Sequence, residues 1–347
     1  MANKIIFDEK YCLEVFKKLV ACDSTTGKCE DIEKLVADML DQLGYPYQRI
    51  HKGGIIADLG GEGNPLVVTG HLDDIGLMVR HINADGTLKV VSVGGLYAFY
   101  CVTENVRIYT RDGQIYTGTI CRTPNSIHVT EDELRKNIAD FEKNTCIVLD
   151  EDVKCAEDVA RLGIETGDFI ALEPRFTVSN GYIKSRFVDD KGAVALMFAA
   201  LKQFKENKIA LPRKVYFYFA EFEEIGHGTT VLPDGVSDIL AIDIAPTGPE
   251  QTSDEKKVSI FAKDSRYPYH NEMTNELRQT AIDNNIDYVM DVFTPHYGTD
   301  CDGSIAAGYD VRHAAIGFGT ANSHGYERTH VEGLKQTFNL LTAFLLK

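Results

Sequence analysis

Glu223 and Glu224 stand side by side where the apolar run "VYFYFAEF" gives way to the glycine turn "IGHG". Like charges so close to a buried strand repel unless cations offset them. The same placement recurs along the chain. "PLVVTGHLDD" ends on His71, Asp73 and Asp74, and "YIKSRFVDDKGAV" sets Asp189 and Asp190 before a helical stretch. "ILAIDIAP" carries Asp243, and "AAIGFGTANSHGYE" runs on to His324 and Glu327. Neutral imidazole with carboxylate oxygen, and no thiolate, is the donor set of a catalytic zinc, cobalt or manganese site. Each piece alone has a plainer use as a helix cap, a hydrogen-bonded histidine or solvated surface. Five separate segments carrying such groups at their ends point instead to one shared metal site.

Spacing adds mechanism. His71 and Asp73 are two apart, so on an extended chain they share a face. Asp73 can then accept from the second imidazole nitrogen and orient His71 as a ligand. Glu223 and Glu224 are neighbours and point opposite ways. One of them can bind metal while the other faces the open coordination position and takes a proton from a water there.

The elements that must position these groups fall into three regions. "FDEKYCLEVFKKLVAC" and "DIEKLVADMLDQLG" have helical periodicity, with Gly44 as the stop of the second, and "GGIIADLGG" and "NPLVVTGH" read as strands. From Gly76 to Ser179 the chain turns to short β segments: "TLKVVSVGGL", "ENVRIYTRDGQIYTGTICR", "NTCIVLD" and "DFIALEPRFTV". "RDGQ" reads as a hairpin turn, and "AEDVARLGI" as a helical interruption. The α/β pattern then returns. "AVALMFAALKQFKEN", "NEMTNELRQTAIDNN" and "VEGLKQTFNLLTAFLLK" are helical, the last with Leu334, Phe338, Leu341 and Leu345 on one face. "KVYFYFAEF", "ILAIDIAP", "DYVMDVF" and "RHAAIGFG" are strands. Uniformly apolar strands alternating with helices predict a sheet covered on both sides. The expected fold is a three-layer α/β/α domain with a mixed, mostly parallel sheet, residues 1–75 and 180–347. A small β-barrel-like domain, residues 76–179, is inserted in it. In open α/β sheets, sites form beyond the carboxyl ends of the strands, where these acids and histidines lie.

Bulk properties limit the partners. The net charge of −16 argues against a nucleic-acid ligand, and no apolar stretch is long enough to span a membrane. The start "MANKIIFDEK" lacks a signal-peptide core, and the eight cysteines include no C-x-x-C pair. A cytoplasmic protein with free thiols is expected.

In these motifs the sequence resembles the di-zinc metallo-aminopeptidases of the tetrahedral type. That family includes glutamyl and deblocking aminopeptidases and relatives labelled endoglucanases. "GHLDDIGLMV", "VSVGGL", "ARLGIETGD", "FVDDKGAVA", "FEEIGHGT", "AIDIAP", "YGTDCDGSIAAG" and "SHGYE" occur in family order over nearly the whole chain. The resemblance implies an aminopeptidase that releases N-terminal residues from short peptides by attack of a water held by two divalent cations. Zinc is implied, with cobalt or manganese as alternatives. It implies that His71, Asp189 and Asp243 hold one metal and that Asp189, Glu224 and His324 hold the other, with Asp189 bridging. Glu223 would be the general base and acid, Asp73 a supporting catalytic residue, and the Asp189–Asp190 peptide cis. The insertion would be a dimerisation domain, with assembly into dimer-based homo-oligomers up to hollow dodecamers. Two departures stand out: Asp73-Asp74 where the family has Asp-Glu, and "HGYERTH" where it has Ser-Pro after the last histidine, which makes His330 an alternative ligand to His324. Other functions on the same residues are a metal-dependent deacylase or carboxypeptidase, or a non-catalytic assembly module. Glycoside hydrolysis fits poorly, because it needs two carboxylates across a sugar cleft rather than a metal cluster.

Overall fold

The structure is a computed structural model that describes residues 5–347. The chain divides into two compact units, one made of residues up to Asp73 with Arg175–Lys347, the other of Asp74–Pro174.

The first unit is built on an eight-stranded sheet. Its order is Tyr47–Arg49, Ile55–Asp58, Val215–Ala220, Leu66–His71, Asp238–Pro246, Arg312–Thr320, Val258–Lys263, Tyr288–Val292. The four middle strands, Val215–Ala220 through Arg312–Thr320, run parallel. Ile55–Asp58 and Val258–Lys263 flank them antiparallel. Nearly every residue of the four is buried, as expected of strands covered on both faces. The long helix Val188–Glu206 packs against the middle strands and against Glu9–Val20, Glu30–Leu43 and Val331–Leu345. It is apolar nearly all round, which suits an element with neighbours on every side. Leu334, Phe338, Leu341 and Leu345 of the closing helix are all buried. On the other face of the sheet Val67, Tyr218, Ala241 and Ala315 share a cluster with Phe261 of the strand Val258–Lys263 and with Cys301 of the short helix Asp300–Ala306. Gly44 ends its helix in the left-handed conformation, at φ 70°.

Some elements escape the sequence pattern. Val258–Lys263 follows a long polar stretch and is too short to show a period, and Asp300–Ala306 is only seven residues long with two acids in it. Thr177–Ser179, which the sequence reading runs together with the insertion, pairs instead with Tyr182–Ser185, and that strand pairs with Glu327–His330. This small three-stranded sheet carries the loop that holds His324.

The second unit is a closed six-stranded barrel. Its order is Gly76–Ile82, Leu88–Val93, Thr145–Leu149, Ile115–Arg122, Asn105–Tyr109, Phe169–Leu172. Leu77, Val79, Val90, Ile108, Ile120, Ile147 and Ile170 fill its interior. The expected hairpin turn is present, with Gly113 at φ 85° between the two strands. All eight cysteines are free, and among the described residues no helix is long and apolar enough to cross a membrane.

Candidate metal centre

Parallel strand order brings the carboxyl ends of the middle strands to one edge, and the acids and histidines gather there. His71 closes its strand, and its ring is almost completely buried. Nδ1 lies 2.9 Å from the Asp73 backbone carbonyl. A carbonyl can only accept, so Nδ1 carries the hydrogen and the neutral ring presents a lone pair at Nε2. That Nε2 faces Asp189 Oδ1 at 3.0 Å and Glu223 Oε2 at 3.7 Å. A lone pair opposed by two carboxylates needs a proton or a cation between them.

Asp189 opens the long helix through a cis Asp189–Asp190 peptide. Its second oxygen, Oδ2, lies 3.6 Å from His324 Nε2, which is also 3.5 Å from Glu224 Oε2. The two oxygens of one carboxylate thus face two different imidazoles. Asp190 accepts from the His71 backbone N–H at 3.3 Å through Oδ2, while its buried Oδ1 has no hydrogen-bond partner. A side chain at Gly70 would meet Asp190 Oδ2 at 2.9 Å, so the close approach requires glycine there. Asp243 lies near the carboxyl end of its strand and accepts from the next backbone N–H, that of Ile244, at 2.6 Å.

Glu223 and Glu224 sit on a single 3₁₀ turn between Phe222 and Gly226, both with positive φ. Asp73 fixes that turn. Its oxygens accept from the backbone N–H of Glu223 at 3.2 Å and of Glu224 at 3.3 Å, and Thr26 donates to Oδ2 at 2.8 Å. The expectation that the Asp73 carboxylate orients the imidazole is corrected here. Its Oδ1 is 3.7 Å from Nδ1, and its own backbone carbonyl takes that hydrogen instead. Glu327 does similar work, accepting from the backbone N–H of Asp189 at 3.1 Å and of His324 at 2.9 Å.

Two groups of donor atoms lie within 4.8 Å of one another: His71, Asp189 and Glu224, and His71, Asp190 and Asp243. Four of the five ligand candidates fall in these groups, His324 lies beside Asp189 and Glu224 without belonging to either, and Asp190 joins, so the groups divide differently from the two sets the resemblance implies. His330 stands apart. It accepts from Glu332 N at 3.0 Å as the cap of the closing helix, and its ring packs edge-on to Tyr182. Sequence reasoning assigned no role to Asp300 and Asp302, although "YGTDCDG" was visible. Asp300 is buried and accepts from Thr69 at 2.8 Å.

The electrostatics are those of a cluster short of positive charge. Burial would raise Asp189, but in the metal-free protein the protonated His324 and His71 imidazoles beside it hold its carboxyl well below the usual range. Burial and neighbouring acids push Asp190, Glu223 and Asp243 well up. Burial, with the Asp189 charge adding to it, lifts Glu224 to about 8 against the opposing pull of His324. Glu327 is likewise pushed up to about 8 by burial and Asp189. Divalent cations would satisfy the opposed donors and remove the repulsion, so the residues fit a metal pair.

A pH dependence follows. A carboxyl raised from the ordinary 4.5 to about 8 loses favour for the folded state as pH climbs through that window, because only the folded chain retains the proton. His71, raised by its carboxylate neighbours against burial, contributes in the same direction. In chelator, the melting temperature is expected to fall between about pH 4.5 and 8, and added zinc, cobalt or manganese to restore most of it at the upper end. A flat profile in chelator would show that the acids are not strained by one another.

With fold and site described, the relatives can be compared. The M42 glutamyl aminopeptidase family profile matches residues 53–340. The chain is 38% identical over 335 residues to "Putative aminopeptidase YhfE" of Bacillus subtilis (strain 168), covering 95% of each. Among solved structures, it superimposes with a TM-score of 0.85 on the aminopeptidase APDkam598 of Desulfurococcus kamchatkensis, at 22% identity and over 97% of this chain and 95% of that one. It also superimposes, with a TM-score of 0.85 at 24% identity over 97% of this chain and 99% of that one, on the Pyrococcus horikoshii TET1 peptidase, which assembles into a tetrahedron or a large octahedral shell. The chain belongs to the M42 glutamyl aminopeptidase family. It is an aminopeptidase, a hydrolase that acts on peptides.

Proposed function

We propose that this aminopeptidase is metal-dependent and cuts short peptides with a free N-terminus, using Glu223 as its proton carrier. Divalent cations, zinc foremost and cobalt or manganese as substitutes, would be held by His71, Asp189, Glu224, Asp243 and His324. The observation that carries this reading is the split of Asp189, one oxygen toward His71 and the other toward His324. Cations bound there supply Lewis acidity toward the scissile carbonyl and toward water. Glu223, held in place through the Asp73 clamp on its backbone, takes a proton from the attacking water. The water oxygen bonds to the carbonyl carbon, the C–N bond breaks, and the same carboxyl returns the proton to the departing amine. Asp190 and Glu327 brace the ligands through backbone hydrogen bonds.

The residues 76–179 insertion is proposed to mediate self-association into dimer-based homo-oligomers. Exposed Tyr97, Phe99, Ile127 and Val129 on that barrel unit support it, as do the shells formed by the TET1 peptidase. A cytoplasmic location is part of the same reading.

The test is a panel of aminoacyl anilides, free peptides and N-acylated peptides with each metal, alongside light scattering. Release of free N-terminal amino acids from a multimeric protein is expected. Cleavage of acylated peptides alone would replace the aminopeptidase mechanism with a deacylase one, and a single-chain mass would remove the assembly proposal.

A further inference from the structure

The cavity that contains Glu223 and Asp189 has a volume of about 210 Å³, and Asp302, Arg266 and Gly298 also line it. Asp302 is 2% exposed, and neither of its carboxylate oxygens accepts from a donor group; its side-chain neighbour is the Asp264 carboxyl, itself an acceptor unless one of the two acids is protonated. Asp264 adjoins it, fully buried. One Asp264 oxygen accepts from the backbone N–H of Arg266 at 2.7 Å and of Tyr267 at 2.8 Å, while the other has no partner. Burial and this second acid push Asp302 up to about 7. A pair of buried carboxylates with spare acceptors is costly unless something donates to it. The nearby guanidinium does not do so. Arg266 Nε is 3.8 Å from Asp302 Oδ2, beyond hydrogen-bond length, and half of that side chain is in solvent. A side chain at residue 298 would come within 2.8 Å of Asp302 Oδ2, so Gly298 keeps the cavity side of this oxygen clear of a neighbouring side chain.

Resting on the aminopeptidase reading above, we propose that Asp302, backed by Asp264, determines specificity by selecting a substrate whose N-terminal side chain is cationic, lysine or arginine. An ammonium brings three donors and a guanidinium five, enough to occupy the oxygens left open. A leucine would leave them unpaired, and a glutamate would add a third negative charge beside them.

The experiment compares lysyl, arginyl, leucyl and glutamyl anilides on the metal-loaded full chain, the Asp302→Asn variant and the Arg266→Ala variant. In parallel, thermal shifts with L-lysinamide and L-leucinamide read binding without turnover. In the parent chain kcat/KM for the lysyl and arginyl anilides is expected to exceed the other two by about 10- to 100-fold. Asp302→Asn keeps the side-chain volume, so it should bring lysyl and arginyl kcat/KM down to the leucyl level and erase the lysinamide shift. An unchanged lysyl-to-leucyl ratio in Asp302→Asn overturns the proposal. So does a glutamyl preference that disappears in Arg266→Ala, which would make the arginine the selector. If no anilide is cut but lysinamide still binds in an Asp302-dependent way, the cationic subsite stands and the aminopeptidase mechanism falls. Loss of both readouts overturns both.

Discussion

Glu223→Gln is expected to slow turnover by about 10²–10⁴-fold with both cations still bound. Glu223 lies 3.7 Å from His71 Nε2, on the same turn as Glu224, and both glutamates line the cavity. Its backbone N–H, rather than its carboxyl, carries the contact that fixes it, since Asp73 accepts from that N–H at 3.2 Å. The amide replacement therefore preserves the turn and the site while removing the group that can accept and return a proton. KM should change little, because the lost interaction develops in the transition state. Glu224→Gln is the control. Glu224 Oε2 is one of the atoms gathered with His71 and Asp189, so its amide should weaken cation binding first and turnover as a consequence. Metal analysis with steady-state kinetics separates the two. Cation loss in Glu223→Gln with full occupancy in Glu224→Gln would exchange their roles, and near-normal turnover in Glu223→Gln would remove the proton-carrier role.

Asp189→Asn should be more damaging than loss of any other single ligand candidate. Its two oxygens face His71 at 3.0 Å and His324 at 3.6 Å, so one substitution strikes both halves of the cluster. Metal content should drop below one cation per chain, and activity by at least about 10³-fold, several kcal/mol of barrier at a factor of ten per 1.36 kcal/mol. The metal-free protein supplies a second, independent readout with a defined sign. Asp189 is held low by its two imidazoles, so its charged form supports the fold above pH 3.8, and Asp189→Asn should lower the melting temperature in chelator at pH 7. Asp243 is the opposite case. Burial and the Asp189 and Glu223 charges raise it, so its ionised form strains the empty cluster. Asp243→Asn should raise the melting temperature under the same conditions while lowering activity less than Asp189→Asn does. If the two variants shift stability in the same direction, the charge distribution described for the cluster is wrong.

Much of this was legible in the residues. The buried strands announce themselves because a strand covered on both faces must be largely apolar, as Val215–Ala220 is, and as Leu66–His71 and Asp238–Pro246 are apart from Thr69, His71, Asp238 and Asp243. The clustering of acids and histidines was equally plain, because five segments place them at their ends, and together rather than singly they point to a cation. Gly44 and Gly113 appear where positive φ is needed. Val258–Lys263 and Asp300–Ala306 were hidden because each is too short to establish a period against polar surroundings.

The residues by themselves therefore determined the fold class, the kind of donor atoms and the edge where they collect, since all three follow from burial and from local spacing. Which donor meets which was decided by tertiary structure. His71 and Asp189 are 118 residues apart, and Asp73 and Glu223 are 150 apart. Their meeting depends on strand order, with Val215–Ala220 and Asp238–Pro246 on either side of Leu66–His71. In sequence His324 is the ligand the resemblance implies and His330 its alternative. They part because one sits in the loop before a strand and the other ends that strand and caps the helix after it. Asp73 likewise changes role, from orienting a ring to clamping a turn, because a carboxylate's partner is set by which backbone N–H groups the packed chain points at it. Sequence spacing constrains only near neighbours, whereas hydrogen bonds and charges act through space that the sheet alone arranges.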